Sequence, residues 1–146
     1  METKEYKNKY KQDVYSKLNV EFHEYNMHNY IYHLGIANVP KIISYNKKTK
    51  LMEMEKIPSM CVADMYGENF SDLPDWIKKQ IIHIIQTLKF HNIIYPDITG
   101  YNFIEYKEKI YIIDFEHAQF GFGPAQSNWF VDECIKGLES WNPDFK

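Results

Sequence analysis

His91-Asn-Ile-Ile-Tyr-Pro-Asp97-Ile-Thr-Gly-Tyr-Asn102-Phe-Ile104, with Ile112-Ile-Asp114-Phe-Glu116 close behind it, decides how the rest of this 146-residue chain is read. The stretch supplies a carboxylate, Asp97, and an amide five residues on, Asn102. A short hairpin follows, Asn102–Tyr106 and Lys109–Ile113 about the turn Lys107-Glu108, and a second carboxylate, Asp114, stands at its end. Carboxylate, amide and carboxylate in that order suit phosphoryl transfer from a magnesium nucleotide. One carboxylate orients the attacking hydroxyl, and the amide and the second carboxylate hold the metal. The competing reading is structural, with Asp97-Ile-Thr-Gly100 a capped turn and Asp114 a cap at a strand end.

Upstream of this stretch lies the strongest helical pattern in the chain. Ile77, Ile81, Ile84, Ile85 and Leu88 line one face of a helix predicted over Pro74–Phe90, and Pro74 suits a first helical position. Such a stripe is core. Further back, Lys41–Asn46 and Leu51–Glu55 form a hairpin about Lys47–Lys50, and a short helix is expected over Cys61–Tyr66. From Val14 the apolar residues Leu18, Phe22 and Tyr25, with Met27, Ile31 and Leu34 on the adjoining flank, predict a first helix ending near Gly35. Residues 1–13 are polar and loosely held. Downstream, Gly121-Phe-Gly-Pro124 marks a loop and Val131–Trp141 a last helix.

Composition narrows the function classes. The length suits one modest domain, and 12 Tyr and 9 Phe supply core material. No apolar window spans a bilayer, and the N-terminus has no secretory h-region. Cys61 and Cys134 stand apart and read as buried small hydrophobes, which places the chain in a reducing intracellular compartment, the host cytoplasm for a viral chain. His23, His28 and His33 repeat every five residues, a spacing that lines no helix face and argues against a zinc site. The net charge of −3 divides unevenly. Residues 1–50 carry nine Lys against five acids, yet no base-reading motif accompanies them, so a solvated arm is the reading. All 17 basic residues are Lys, which removes the planar fork that grips phosphate bidentately.

These segments, taken in order, resemble the protein-kinase-like superfamily. Met54-Glu-Lys-Ile57 resembles the hinge after the fifth strand, where backbone groups at the positions of Glu55 and Ile57 bond the adenine edge. Leu88-Lys-Phe-His91 resembles the end of the helix leading to the catalytic loop. Asp97-Ile-Thr-Gly-Tyr-Asn102 matches the catalytic-loop spacing, and Ile112-Ile-Asp-Phe-Glu116 resembles the metal-binding Asp-Phe-Gly segment. Thr99 after the Asp, and Glu116 in place of Gly, look like small atypical serine/threonine kinases, such as those of the tRNA-threonylcarbamoyl complex, and like small-molecule kinases.

The resemblance implies a fold class of α+β, a minimal kinase-like domain with a reduced N-terminal lobe over residues 1–57 and a truncated, mostly helical C-terminal lobe over residues 58–146. It implies ATP and Mg²⁺ as cofactors and transfer of phosphate to a Ser or Thr hydroxyl of a protein. Asp97 is then the catalytic carboxylate, Asn102 and Asp114 hold metal and nucleotide, and Glu55 and Ile57 hold the adenine. Glu24 or Glu21 on the first helix would pair with the strand lysine of the family, and Asp132 would anchor the catalytic loop. His91 and His117 read as structural. The partners implied are ATP and a protein substrate, with no membrane and no nucleic acid, and with the oligomeric state open.

The departures point to a second class, a catalytically weak or inactive pseudokinase serving as scaffold or decoy. No Gly precedes Gly35, so the Gly-rich phosphate cover is missing. The strands of a full N-terminal lobe need about 35–50 residues, and the chain offers only about 13 before the expected first helix. Lys9, Lys11 and Lys17 are candidates for the phosphate-binding lysine, with no strand to sit on. Tyr95-Pro96-Asp97 stands where the family has His-Arg-Asp, and the absence of Arg removes control by a phosphorylated activation loop. Few residues follow Asp114, which leaves little for a large substrate lobe.

Overall fold

The computed structural model describes residues 13–121 with 140 and 141. The polar start over residues 1–12, and the helix expected over Val131–Trp141 apart from its last two residues, lie outside the described residues, as do Asp132 and Cys134.

The first described element corrects the sequence reading. Val14–Lys17 is a strand (β1), and the helix starts only at Phe22, running Phe22–Leu34 (α1). Asn19 adopts a left-handed backbone (φ 59°) and turns the chain between the two. Leu18, counted as a core position of a longer helix, is therefore exposed. The helical period lost here because β1 has a partner: it lies antiparallel to Leu51–Glu55 (β3), with Val14 opposite Glu55 and Lys17 opposite Met52. Gly35 ends α1 as expected. It takes up φ 66° and its N–H bonds the carbonyls of Ile31 and Tyr32. The buried residues of α1 are Glu24, Met27, His28 and Ile31, so half of its inner face is ionisable.

Ile42–Asn46 (β2) completes an antiparallel sheet in the order β1-β3-β2, and the predicted hairpin is present. Val20, Met52 and Met54 form a small core under this sheet, flanked by Tyr25 and Tyr45, whose rings stack with centroids 4.4 Å apart. The short helix Val62–Tyr66 (α2) and the helix Asp75–Phe90 (α3) follow. Pro74 stands one position ahead of α3, at its N-cap with extended ψ, not inside the first turn. All five residues of the predicted stripe are buried in the main core, together with Phe70, Tyr95, Phe103 and Phe115. Burial of aliphatic side chains of this size contributes about 1.5–3 kcal/mol each, which makes α3 the stable floor under the motif segments.

Those segments are brought together by two strand pairings. Phe103–Tyr106 (β5) and Lys109–Ile112 (β6) form a hairpin with Phe103 opposite Ile112, and Ile113 N–H donates to Asn102 O. Asn102 and Asp114 thus leave the open end of one hairpin side by side. Outside it, Ile93–Ile94 (β4) pairs with Gln119–Phe120 (β7), closing the segment between them. Within the loop, Gly100 is buried against α2. A Cβ there would stand 3.0 Å from Ala63 Cβ and 3.3 Å from Ala63 Cα, so glycine is what lets the helix lie on this turn. Cys61, read as buried, is half-buried at the start of α2. Among the described residues, no helix is long and apolar enough to cross a membrane.

Candidate active site

Between the β1-β3-β2 sheet, α1 and the open end of the β5–β6 hairpin lies a cleft of about 320 Å³, at the lower end of the size that takes a small ligand. Met52, Met54 and Ile104 give it apolar walls; Lys17, Glu24, Asn102 and Asp114 give it charge and polarity. Glu55 and Ile57 line it as well, at the end of β3. Four of the five residues singled out from the sequence therefore share one cleft. The fifth, Asp97, lies at its edge, where Asn102 Nδ2 donates to Asp97 O at 2.8 Å.

Lys17 overturns the expectation that no lysine has a strand to sit on. It is the last residue of β1, with Nζ 2.5 Å from Glu24 Oε2 and 3.4 Å from Asp114 Oδ1. Burial alone would lower its pKa, but hydrogen bonding and charge from Glu24 and Asp114 more than offset this and leave it raised, so Lys17 stays an ammonium. Burial pushes the Glu24 carboxyl upward, and Lys17 draws it part of the way back. Of the two acids considered for this pairing, Glu24 makes it. Glu21 instead holds Lys50 on the surface, at 2.7 Å. Val14-Tyr-Ser-Lys17 ahead of a turn residue shows no apolar–polar alternation and is too short to separate from a helical start.

The metal-type residues have a donor chemistry that fits magnesium. Asn102 donates one amide N–H to Asp97 O, and its amide oxygen is the group suited to a metal. Asp114 sits at φ 66°, a left-handed backbone uncommon for a residue with a side chain, and its carboxylate accepts from Lys17 and from Glu116 N–H at 3.3 Å. Two hard oxygen donors are what magnesium takes from protein, with phosphates and water supplying the rest. Among the described residues no group of three or more His, Cys, Asp or Glu is arranged to cage a metal. His28 is taken up differently: it is buried, its Nε2–H donates to Pro40 O at 2.7 Å, and it meets the edge of Phe115.

The loop around Asp97 is held from beneath. Tyr95, at the first position of Tyr95-Pro96-Asp97, is fully buried and its hydroxyl donates to Ile113 O at 2.5 Å, the residue before Asp114. Burial, then the Asp114 and Asp97 carboxylates, push its phenol well above the ordinary range, so it acts as a donor. Phe115 packs edge-on against Tyr95 and His28. The turn itself is capped by Thr99, whose hydroxyl accepts from Tyr101 N–H, so the Asp97 carboxylate is not spent on it. That carboxylate meets His117, whose Nδ1 lies 2.7 Å from Asp97 Oδ2. His117, read from the sequence as structural, thus lies against the Asp97 carboxylate; the available signal was a histidine three residues after Asp114. His91 does serve structurally, its Nδ1–H closing the end of α3 on Thr87 O at 3.0 Å. At the hinge-like segment, Glu55 bonds Lys41 through both its N–H and its carboxylate, while Ile57 N–H makes no hydrogen bond among the described residues.

A search of curated protein sequences gives no match. A family model described as the RIO domain matches residues 1–120, a span that includes every residue of this cleft. That match covers far more than half of the chain, and the chain belongs to the RIO domain family, an atypical protein-kinase-like family.

Proposed function

We propose that this chain is a phosphotransferase that uses Mg²⁺ and ATP and passes phosphate to a Ser or Thr hydroxyl of a protein inside the cell. The observation that carries the reading is the meeting of Lys17, Glu24, Asn102 and Asp114 in one cleft, with Asp97 at its edge. In this reading residues 1–57 form the reduced lobe over the nucleotide and residues 58–146 the lobe that holds the acceptor. Glu55 and Ile57 meet the adenine, and the Ile57 N–H, which makes no hydrogen bond among the described residues, supports that role. Lys17 engages the phosphates and Glu24 holds it in place. Asn102 and Asp114 hold Mg²⁺, which when bound neutralises phosphate charge. Asp97 orients the acceptor hydroxyl and takes its proton. Such catalysis rests on positioning and on charge already in place.

One observation favours a second reading, a weak or inactive nucleotide-binding module that works as a scaffold. Residues 1–34 contain no glycine, so this stretch supplies no Gly-rich loop to the phosphates. Titration of the purified protein with ATP, with and without Mg²⁺, separates the cases. The expected result is metal-dependent binding, weakened about tenfold or more in Asp114→Asn, and phosphate turnover lost in Asp97→Ala with binding kept. Binding with no turnover in the wild type supports the scaffold. ATP affinity that is undetectable, or indifferent to metal and to Asp114, sinks the nucleotide reading altogether.

A further inference from the structure

The Asp97 carboxylate has a partner that the roles above do not call for. His117 approaches it from the segment between Phe115 and β7, and the Ile94–Gln119 pairing holds that segment against the loop. The contact is short, 2.7 Å, with the Asp97 side chain only 12% exposed and that of His117 54% exposed. A carboxylate only accepts, so Nδ1 carries the proton and donates to Oδ2. With its side chain half exposed, His117 fills no core position, and it meets the Asp97 carboxylate directly.

We propose that His117 is a positioning residue for phosphoryl transfer. It holds Asp97 Oδ2 so that the other carboxylate oxygen turns to the acceptor hydroxyl, and its charge sets how strongly Asp97 draws the hydroxyl proton. This rests on the phosphotransferase reading above. As an imidazolium, His117 holds the Asp97 carboxylate by charge as well as by its hydrogen bond and competes with the acceptor hydroxyl for it. As neutral imidazole it keeps the same hydrogen bond without that competing charge. Transfer therefore increases as pH rises through the His117 titration. Among the described residues, the groups that act on the imidazole are Asp97 from the catalytic loop and Glu116 and Asp114 from its own segment, all negative, whereas Lys17, one of two lysines lining the cleft, is engaged by Glu24 and Asp114. The hydrogen bond to Asp97 is the main cause of a titration above the ordinary 6.5, opposed by burial and helped by the other carboxylates.

Two measurements test this. The first is the pH profile of kcat and KM between about pH 5.5 and 8.5 for wild type, His117→Gln and His117→Ala. The second is an NMR titration of the His117 ring in wild type and Asp97→Asn. In the wild type, kcat should rise with a midpoint above 6.5. His117→Gln retains an N–H donor but cannot titrate, so that limb should vanish while kcat stays within about tenfold of the plateau. His117→Ala should lower kcat about 10–100-fold with KM for ATP little changed. The His117 midpoint should drop in Asp97→Asn. An acid limb that persists in His117→Gln, or a midpoint indifferent to Asp97→Asn, overturns the proposal. A wild type that transfers no phosphate at any pH ends the phosphotransferase reading, and the control of transfer with it. The NMR titration then still reports on the contact itself, so the two failures are told apart.

Discussion

Lys17 answers two carboxylates with one ammonium, Glu24 at 2.5 Å and Asp114 at 3.4 Å. Glu24 is 3% exposed, and a buried carboxylate without its counter-charge is costly. Its upward-shifted carboxyl offers a cheaper escape, because it can take up a proton instead. Lys17→Met should therefore lower stability by about 1–3 kcal/mol at neutral pH, below the cost of stripping a fully buried pair. The double variant Lys17→Met/Glu24→Gln removes the stranded charge and should recover most of that loss in urea melts. Neither should transfer phosphate at more than about 10⁻² to 10⁻³ of the wild-type rate, the usual result of losing one charge-stabilising contact. If the double variant is no more stable than the single, burial of Glu24 is not what Lys17 compensates. If both retain full transfer, Lys17 does not engage the phosphates.

The β5–β6 hairpin sets the spacing of the site, and its turn is built from unsuited residues. Lys107 and Glu108 both have left-handed backbones, φ 50° and 63°. A two-residue turn of this kind favours Asn-Gly, and side chains without local hydrogen bonding cost about 1–2 kcal/mol each in this region. Replacing Lys107-Glu108 by Asn-Gly should raise the urea midpoint by an amount equivalent to about 1 kcal/mol, with ATP affinity unchanged because the turn lies at the far end from Asn102 and Asp114. A fall in the midpoint would show that these two side chains support the turn in another way. This hairpin was legible in the sequence, as was α3, because both rest on local patterns: alternation about a short turn, and a stripe at helical period. Asp97, Asn102 and Asp114 were picked out as candidates in the same way, by a five-residue spacing and then one short hairpin. β1 was not. Its four residues carry no alternation, and the pairing that makes them a strand comes from β3, far along the chain. The place of Lys17 in the cleft followed β1 out of view, and the contact of His117 with Asp97 depends on the long-range β4–β7 pairing.

At the scale of the whole molecule, α1 touches both hydrophobic clusters, Tyr25 packing on the small one under the sheet and Met27 and Ile31 entering the main one. His28 lies on the same helix, 2% exposed, tied to Pro40 O and set edge-on against Phe115. Burial lowers its pKa from 6.5, partly offset by the bond to Pro40, and Lys17 lowers it further. The neutral ring is the folded form, so its contribution is fully present above pH 6.5 and is lost as pH falls through the lowered folded value. Glu24 works in the opposite sense. Its raised carboxyl is protonated more readily in the folded chain, so acid relieves part of its burial cost. His28→Gln separates the two, because the amide can still donate to Pro40 O but does not titrate. The variant should be less stable than wild type at pH 7–8, by about 1 kcal/mol for an imperfectly seated hydrogen bond. The difference should shrink below pH 6.5 as the wild type alone loses the His28 contribution. Urea midpoints measured for both proteins across this range decide it. A gap that stays constant with pH would mean that His28 is not held neutral, and that the acid sensitivity of the fold resides in other groups.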